Sequence, residues 1–204
     1  MQLRDSVLGR WYFAVLRRTV LKWLGSRLSP DQMTLFGVLL AALVPLGFAA
    51  APLAGFLLMG LSALADSLDG QLAKLQGGGG PFGAFLDSTS DRVSDGFYLA
   101  GFWVAVSDAA ECPIAESLAV FAALVSTGLI SYSKARIEGL GGSCATGLMD
   151  RAVRTIFLLL WALALVILPA RTLMVFWIGL GAYLLLVAFT VGQRIRLAHQ
   201  ILAK

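Results

Sequence analysis

Charge is scarce in this chain. Of its 204 residues, 14% are Asp, Glu, Lys or Arg and 58% are apolar, whereas an ordinary soluble domain carries about 25% charge. With a mean hydropathy of +0.82, that balance excludes a disordered chain and a soluble globular enzyme. Cysteine is nearly missing. Only Cys112 and Cys144 occur; the topology below sets them near opposite faces of a bilayer, so no disulfide is expected. The single histidine, His199, is solitary, close to the end of the chain and read as interfacial. No internal repeat and no inserted soluble domain is visible. At about 20 residues per crossing, the length allows roughly six or seven helices with little left over, so an active site has to be built from the helices themselves.

What is present is a series of apolar runs of bilayer length. Six spans are predicted: Thr34–Pro52, Leu53–Leu75, Phe82–Ser107, Pro113–Glu138, Ala152–Leu168 and Leu173–Arg194. Basic residues gather on one side of this map: Arg4 to Arg27 before the first span, then Lys74 and Arg92, then Lys134, Arg136, Arg151 and Arg154, then Arg194, Arg196 and Lys204. Arg171 alone stands on the other side, beside Asp108, Glu111 and Glu116. The positive-inside bias therefore puts both termini in the cytoplasm. Residues 1–30 mix Arg and Lys with Trp11, Tyr12 and Trp23, which suits an amphipathic helix lying in the interface rather than a cleaved signal peptide. The expected fold is thus an all-α integral membrane protein with one domain over 1–204, an interfacial helix (1–30) followed by a bundle of six transmembrane helices (31–204). Pro30, Pro52, Pro81, Pro113 and Pro169 fall at or near span ends, where a fixed φ and missing N–H cost little. The runs Gly77–Gly80 and Gly139–Gly142 read as turns.

Against this apolar background, Asp66, Asp69, Asp87, Asp91 and Asp95 are conspicuous. Insertion of one central Asp costs about 2.5–3.5 kcal/mol, so five together imply a water-filled cavity, a metal, or both. Asp66 and Asp69 are spaced i, i+3 and Asp87 and Asp91 i, i+4, so each pair shares a helix face, and the glycine loop folds the faces together. Four converging carboxylates would repel unless neutralised. Hard oxygen ligands point to a divalent ion, Mg²⁺ or Mn²⁺, which would also collect phosphate or pyrophosphate oxygens. Helix caps and an ion pathway are the competing explanations; a transport site belongs near the midplane within internal repeats, whereas these acids lie toward the cytoplasmic end beside basic residues.

The stretch Asp66, Asp69, Gly70, Ala73, Lys74, Gly83, Asp87, Asp91 closely resembles the D-x2-D-G-x2-A-R-x8-G-x3-D-x3-D signature of the CDP-alcohol phosphotransferase family. Every position but one matches. Lys74 stands where the family usually has Arg, keeping the positive charge without a bidentate grip on phosphate. The resemblance implies a six-helix membrane enzyme, usually a homodimer, that moves a phosphatidyl-type group from a CDP-linked lipid to an alcohol and releases CMP. By the same resemblance Asp66, Asp69, Asp87 and Asp91 ligate two metal ions, and Asp91 also takes the proton of the attacking hydroxyl. The segment Pro30-Asp31-Gln32-Met33-Thr34 is similar to the family's stretch that contacts the CDP moiety; Gly70, Lys74 and Gly80 complete that pocket. Asp95 is assigned only to the cavity wall.

For the acceptor, the segments around Lys134 and around Arg151–Arg154, together with Asp87-Ser-Thr-Ser-Asp91-Arg92, resemble the inositol-phosphate branch. In that branch one Lys and two Arg bind the acceptor's phosphate, by position Lys134, Arg154 and Arg194. A dianion entering a carboxylate-lined cavity needs such donors. Arg136, Arg151 and Arg196 are read as headgroup anchors. The function so implied is transfer from CDP-diacylglycerol to inositol 1-phosphate at the cytoplasmic face of the cell membrane, with no nucleic-acid partner. The alternatives are the glycerol-phosphate branch, a CDP-archaeol donor, an aspartate-rich polyprenyl transferase, for which the chain is too short, and a non-enzymatic cation transporter, which leaves the glycine spacing unexplained.

Overall fold

The computed structural model describes residues 28–78, 80–110 and 112–202. Within them the chain forms six α-helices and no strand: α1 Pro30–Ala50, α2 Pro52–Leu75, α3 Pro81–Val106, α4 Pro113–Gly139, α5 Arg151–Ile167 and α6 Thr172–Leu202, the last entered through a 3₁₀ turn at Pro169–Arg171. The expected interfacial helix falls almost wholly outside the described residues.

Local chemistry sets the helix starts. Proline opens α1, α2, α3 and α4, where its fixed φ is already helical and its missing N–H would have no partner. Ser29 caps α1 in a reciprocal pair: the Gln32 N–H donates to Ser29 Oγ at 3.2 Å and the Ser29 N–H to Gln32 Oε1 at 3.0 Å. Asp150 caps α5 by accepting from the Val153 N–H at 2.9 Å. Ala51, alone and extended, joins α1 to α2. Between α2 and α3 the chain reverses through Gly77 and Gly78 at φ +97° and +99°, a left-handed conformation that L side chains resist.

Four stretches are long and apolar enough to cross a membrane: α1, α2, α4 and Pro169–Leu202. The remaining two helices differ for an instructive reason. α3 has the length, 26 residues, but carries Asp87, Asp91, Arg92 and Asp95; α5 has 17 residues and opens on Arg151 and Arg154. Outward faces are apolar, with Leu39, Leu46, Leu118, Phe121, Ile178 and Leu185 each more than 60% exposed, an arrangement that suits lipid and not water. The chain is a multi-pass membrane protein.

Packing brings α1 against α2 and α3, α5 against α2 and α6, and α4 against α3 and α6. Phe48 of α1 fills the space left by two glycines. Its ring lies directly over Gly55 of α2, and a Cβ on Gly101 of α3 would come within 2.8 Å of it; such small-residue contacts replace the hydrophobic drive that lipid removes. Phe102 stacks on Trp161 at 4.0 Å, which ties α3 to α5. Tyr98 OH donates to Ser62 Oγ at 2.8 Å, and Ser62 in turn to the Gly37 carbonyl at 2.7 Å, linking three helices.

The last expected span ends at Arg194, and the helix that carries it, α6, continues to Leu202. Arg194 is buried and turns inward. Its Nε donates to the Thr146 carbonyl at 3.1 Å and its Nη1 to the Ile130 carbonyl. With Thr190 accepting from the Met149 N–H at 3.0 Å and Gln193 from the Leu148 N–H at 3.1 Å, α6 thereby holds the loop between α4 and α5. The start of α1, the end of α2 and the starts of α3 and α5 consequently meet at one end of the bundle.

Candidate metal and substrate site

At that end, α2 contributes Asp66 and Asp69 and α3 contributes Asp87, and one carboxylate oxygen from each lies within 4.8 Å of the others. The helical spacing and the glycine turn do what the sequence implied. Three hard oxygens at this separation, in an otherwise apolar helical setting, make a donor set suited to a divalent cation. Asp69 is oriented from α1: Thr34 Oγ1 donates to Asp69 Oδ2 at 2.6 Å, with both residues buried. Asp91, the expected fourth ligand, is buried one turn further along α3 and is not part of the converging triad. It borders instead a cleft of about 20 Å³ shared with Thr34, Ser62, Asp66 and Asp95.

Cations answer these acids. Arg151, at the first position of α5, reaches Asp66 and Asp91 with Nη2 and Asp87 Oδ1 with Nη1 at 3.0 Å. This corrects the reading of Arg151 as a headgroup anchor. A cation at a helix N-terminus is opposed by the helix dipole, and the three carboxylates offset that. One turn on, Arg154 Nη2 contacts Asp95 Oδ2 at 2.7 Å, both side chains buried, so Asp95 is an ion-pair partner and more than a cavity wall. Sequence reasoning missed both. The available signal was that Arg151 and Arg154 are spaced i, i+3 and share a face, and that a buried acid cluster needs counter-charge.

The other expected site residues are placed as follows. Asp31 faces α3, its Oδ1 lying 3.6 Å from where a Cβ on Gly83 would stand. Gln32 is taken up in the cap of α1, and Met33 packs with Ala65, Leu68 and Leu72. Gly70, Lys74 and Gly80 are exposed, and a Cβ on Gly70 or Gly80 would meet open space. The three acceptor cations have separate partners: Lys134 is exposed and contacts Glu138 at 3.9 Å, Arg154 holds Asp95, and Arg194 holds backbone carbonyls. Arg154 and Arg194 are within electrostatic reach of one another. Arg154 Nε is buried without a hydrogen-bond partner among the described residues.

Comparison with known proteins bears on this geometry. A family model described as CDP-alcohol phosphatidyltransferase matches residues 27–192. An archaetidylinositol phosphate synthase from Methanothermobacter thermautotrophicus is 38% identical over 138 residues, which are 67% of this chain and 67% of that protein. A phosphatidylinositol phosphate synthase from Corynebacterium glutamicum is 38% identical over 138 residues, 64% of this chain and 60% of that one. Among solved structures, Mycobacterium tuberculosis phosphatidylinositol phosphate synthase with CDP-DAG bound has a TM-score of 0.72 at 28% identity, covering 93% of this chain and 94% of that chain. The same enzyme in complex with manganese and citrate has a TM-score of 0.72 at 29% identity, covering 91% and 87%.

Proposed function

The chain belongs to the CDP-alcohol phosphatidyltransferase family, and from that premise we propose that it transfers a phosphatidyl group from CDP-diacylglycerol to inositol 1-phosphate, giving phosphatidylinositol phosphate and CMP. The observation that carries the reading is the convergence of Asp66, Asp69 and Asp87 beside a cleft bordered by Asp91. The naming of the relatives as inositol-phosphate enzymes supports the acceptor.

In this reading Asp66, Asp69 and Asp87 hold divalent metal, Mg²⁺ or Mn²⁺, with Asp91 completing the set for two ions. The metal supplies positive charge to the donor's pyrophosphate and to the departing CMP. Everything else falls to the chain. Thr34 fixes the orientation of Asp69. Asp91 lines up the acceptor's hydroxyl and takes its proton as the hydroxyl oxygen bonds to the phosphatidyl phosphorus; the bond from that phosphorus to the bridging oxygen breaks, and the oxygen leaves with CMP. The open surface at Gly70 and Gly80 lets the nucleotide lie close to backbone, with Lys74 and Asp31 beside it. Lys134, Arg154 and Arg194 receive the acceptor's phosphate, and the unpartnered Arg154 Nε is a donor suited to that task.

The topology completing the proposal is six spans over 31–204 behind an interfacial helix, both termini and the site cytoplasmic, in a homodimer in the cell membrane. The test is CMP release by purified protein in lipid with CDP-diacylglycerol and Mg²⁺, comparing inositol 1-phosphate, free inositol, glycerol 3-phosphate and serine. CMP release is expected with inositol 1-phosphate and is expected to be lost in Asp91→Asn with folding retained. Preference for glycerol 3-phosphate would overturn the acceptor pocket, and undiminished CMP release by Asp91→Asn would overturn the proton-acceptor role.

A further inference from the structure

Arg151 bridges the carboxylate cluster: its single guanidinium contacts Asp66, Asp87 and Asp91, whereas Arg92 meets Asp91 alone, at 3.8 Å. Two of these belong to the proposed metal triad and the third is the proposed proton acceptor. From this we infer that Arg151 is the resident counter-cation of the metal site, that metal and Arg151 compete for the same carboxylate oxygens, and that the displaced guanidinium serves as a further donor to the acceptor's phosphate.

The inference rests on the metal reading above and on charge bookkeeping at the site. Asp66, Asp69 and Asp87 bring carboxylate oxygens within 4.8 Å of one another, Asp91 is joined to two of them through Arg151 and also meets Arg92 at 3.8 Å, and Asp95 is already matched by Arg154. Without metal, one guanidinium bridging three of the four is the arrangement that lowers repulsion most. Once divalent charge enters among the same oxygens, it repels a cation in contact with them and weakens their hold on it. Arg151 is placed where its side chain can move. Its side chain is about one-third exposed, at 35%, whereas Arg154 is held at 4%, so the long stem of Arg151 can swing without unpacking α5. It stands one helical turn from Arg154, on the same face, so its nearest alternative partner is an anion bound at Arg154. A planar guanidinium donates to carboxylate and to phosphate oxygens with comparable, bidentate geometry.

The consequence is a coupling. If metal frees Arg151 for the phosphate, metal tightens phosphate binding, and by linkage phosphate tightens metal binding by the same factor. The experiment is an Mn²⁺ titration followed by electron paramagnetic resonance on the purified full chain in lipid nanodiscs, with and without inositol 1-phosphate, for the unaltered protein and for Arg151→Gln, Arg151→Lys and Asp87→Asn. Arg151→Gln is expected to bind Mn²⁺ at least about tenfold more tightly on its own and to lose most of the enhancement by inositol 1-phosphate. Arg151→Lys, which cannot bridge three carboxylates, should fall between the two; it decides the matter if the glutamine variant does not fold. Unchanged or weaker Mn²⁺ binding in the Arg151 variants overturns the inference. Asp87→Asn separates the two levels: if it leaves Mn²⁺ binding unaffected, the metal reading has failed, whatever Arg151 does.

Discussion

Thr34→Val is the substitution whose effect is most directly worked from the geometry. The two side chains have nearly the same shape, so little cavity or clash is introduced, and what disappears is the hydroxyl whose 2.6 Å hydrogen bond fixes Asp69 Oδ2. The same hydroxyl lies 3.1 Å from the Pro30 carbonyl. It has one proton to give, and the shorter, charged acceptor takes it. A hydrogen bond to a charged group contributes about 1.5–3 kcal/mol, and each 1.4 kcal/mol is a factor of ten. If the bond serves to hold the oxygen in its metal-binding orientation, its loss weakens Mn²⁺ binding by about 10- to 150-fold. Partners that orient metal ligands typically contribute about 10- to 100-fold, which agrees. The assay is Mn²⁺ affinity by paramagnetic resonance in nanodiscs, with Thr34→Ser as the variant that keeps the hydroxyl. A change below about twofold in Thr34→Val, or a serine variant as impaired as the valine one, would refute the orienting role.

Two predictions concern stability. Asp95→Ala leaves the Arg154 guanidinium buried without its 2.7 Å partner. Breaking such a pair costs about 3–5 kcal/mol, a fall of about 6–20 °C in the melting temperature at about 2–4 °C per kcal/mol. The double variant Asp95→Leu with Arg154→Met should recover most of that fall in a thermal melt in detergent; no recovery would mean that the pair is not the unit that matters. Gly101→Val places a Cβ 2.8 Å from Phe48 and Val44 and should cost about 1–3 kcal/mol, whereas Gly128→Val meets nothing within 4 Å. Equal melting shifts for the two would sink the close-packing account.

The carboxylate cluster was legible in the sequence because helical periodicity and a glycine turn are local signals. Spacings of three and four residues fix a shared face, and Gly77–Gly78 fixes the reversal that folds α2 onto α3. Arg151 was not legible for the opposite reason. The positive-inside bias gives every cation on the basic side of the map the same explanation, and only the packing of α5 against α2 distinguishes a side chain turned to the acids from one turned to headgroups. Arg194 likewise closes the last apolar run in the sequence, and its partners, the carbonyls of Ile130 and Thr146, appear only in three dimensions. Asp95 shows the limit from another side. Its register on α3 was plain, while its partner, 59 positions away in sequence, could be found only in three dimensions.

The single extended residue between α1 and α2 acts as a ruler. Thr34 lies about 17 residues before Ala51 and Asp69 about 18 after it, so at about 1.5 Å per residue the two legs of the hairpin run some 26 Å back and finish level. The hydrogen bond at the site is thus set by equal lengths measured from a hinge at the opposite end of the bundle. A substitution on a lipid-facing position of either leg leaves the measure intact. An insertion or deletion of one residue does not: it shifts one end by about 1.5 Å and turns it by about 100°, parting Thr34 from Asp69 without touching either. Length is thus a constraint separate from the close fits at Phe48 and Gly55, and a compensating pair of deletions, one in each leg, moves the site nearer the hinge without bringing the same side chains back into register.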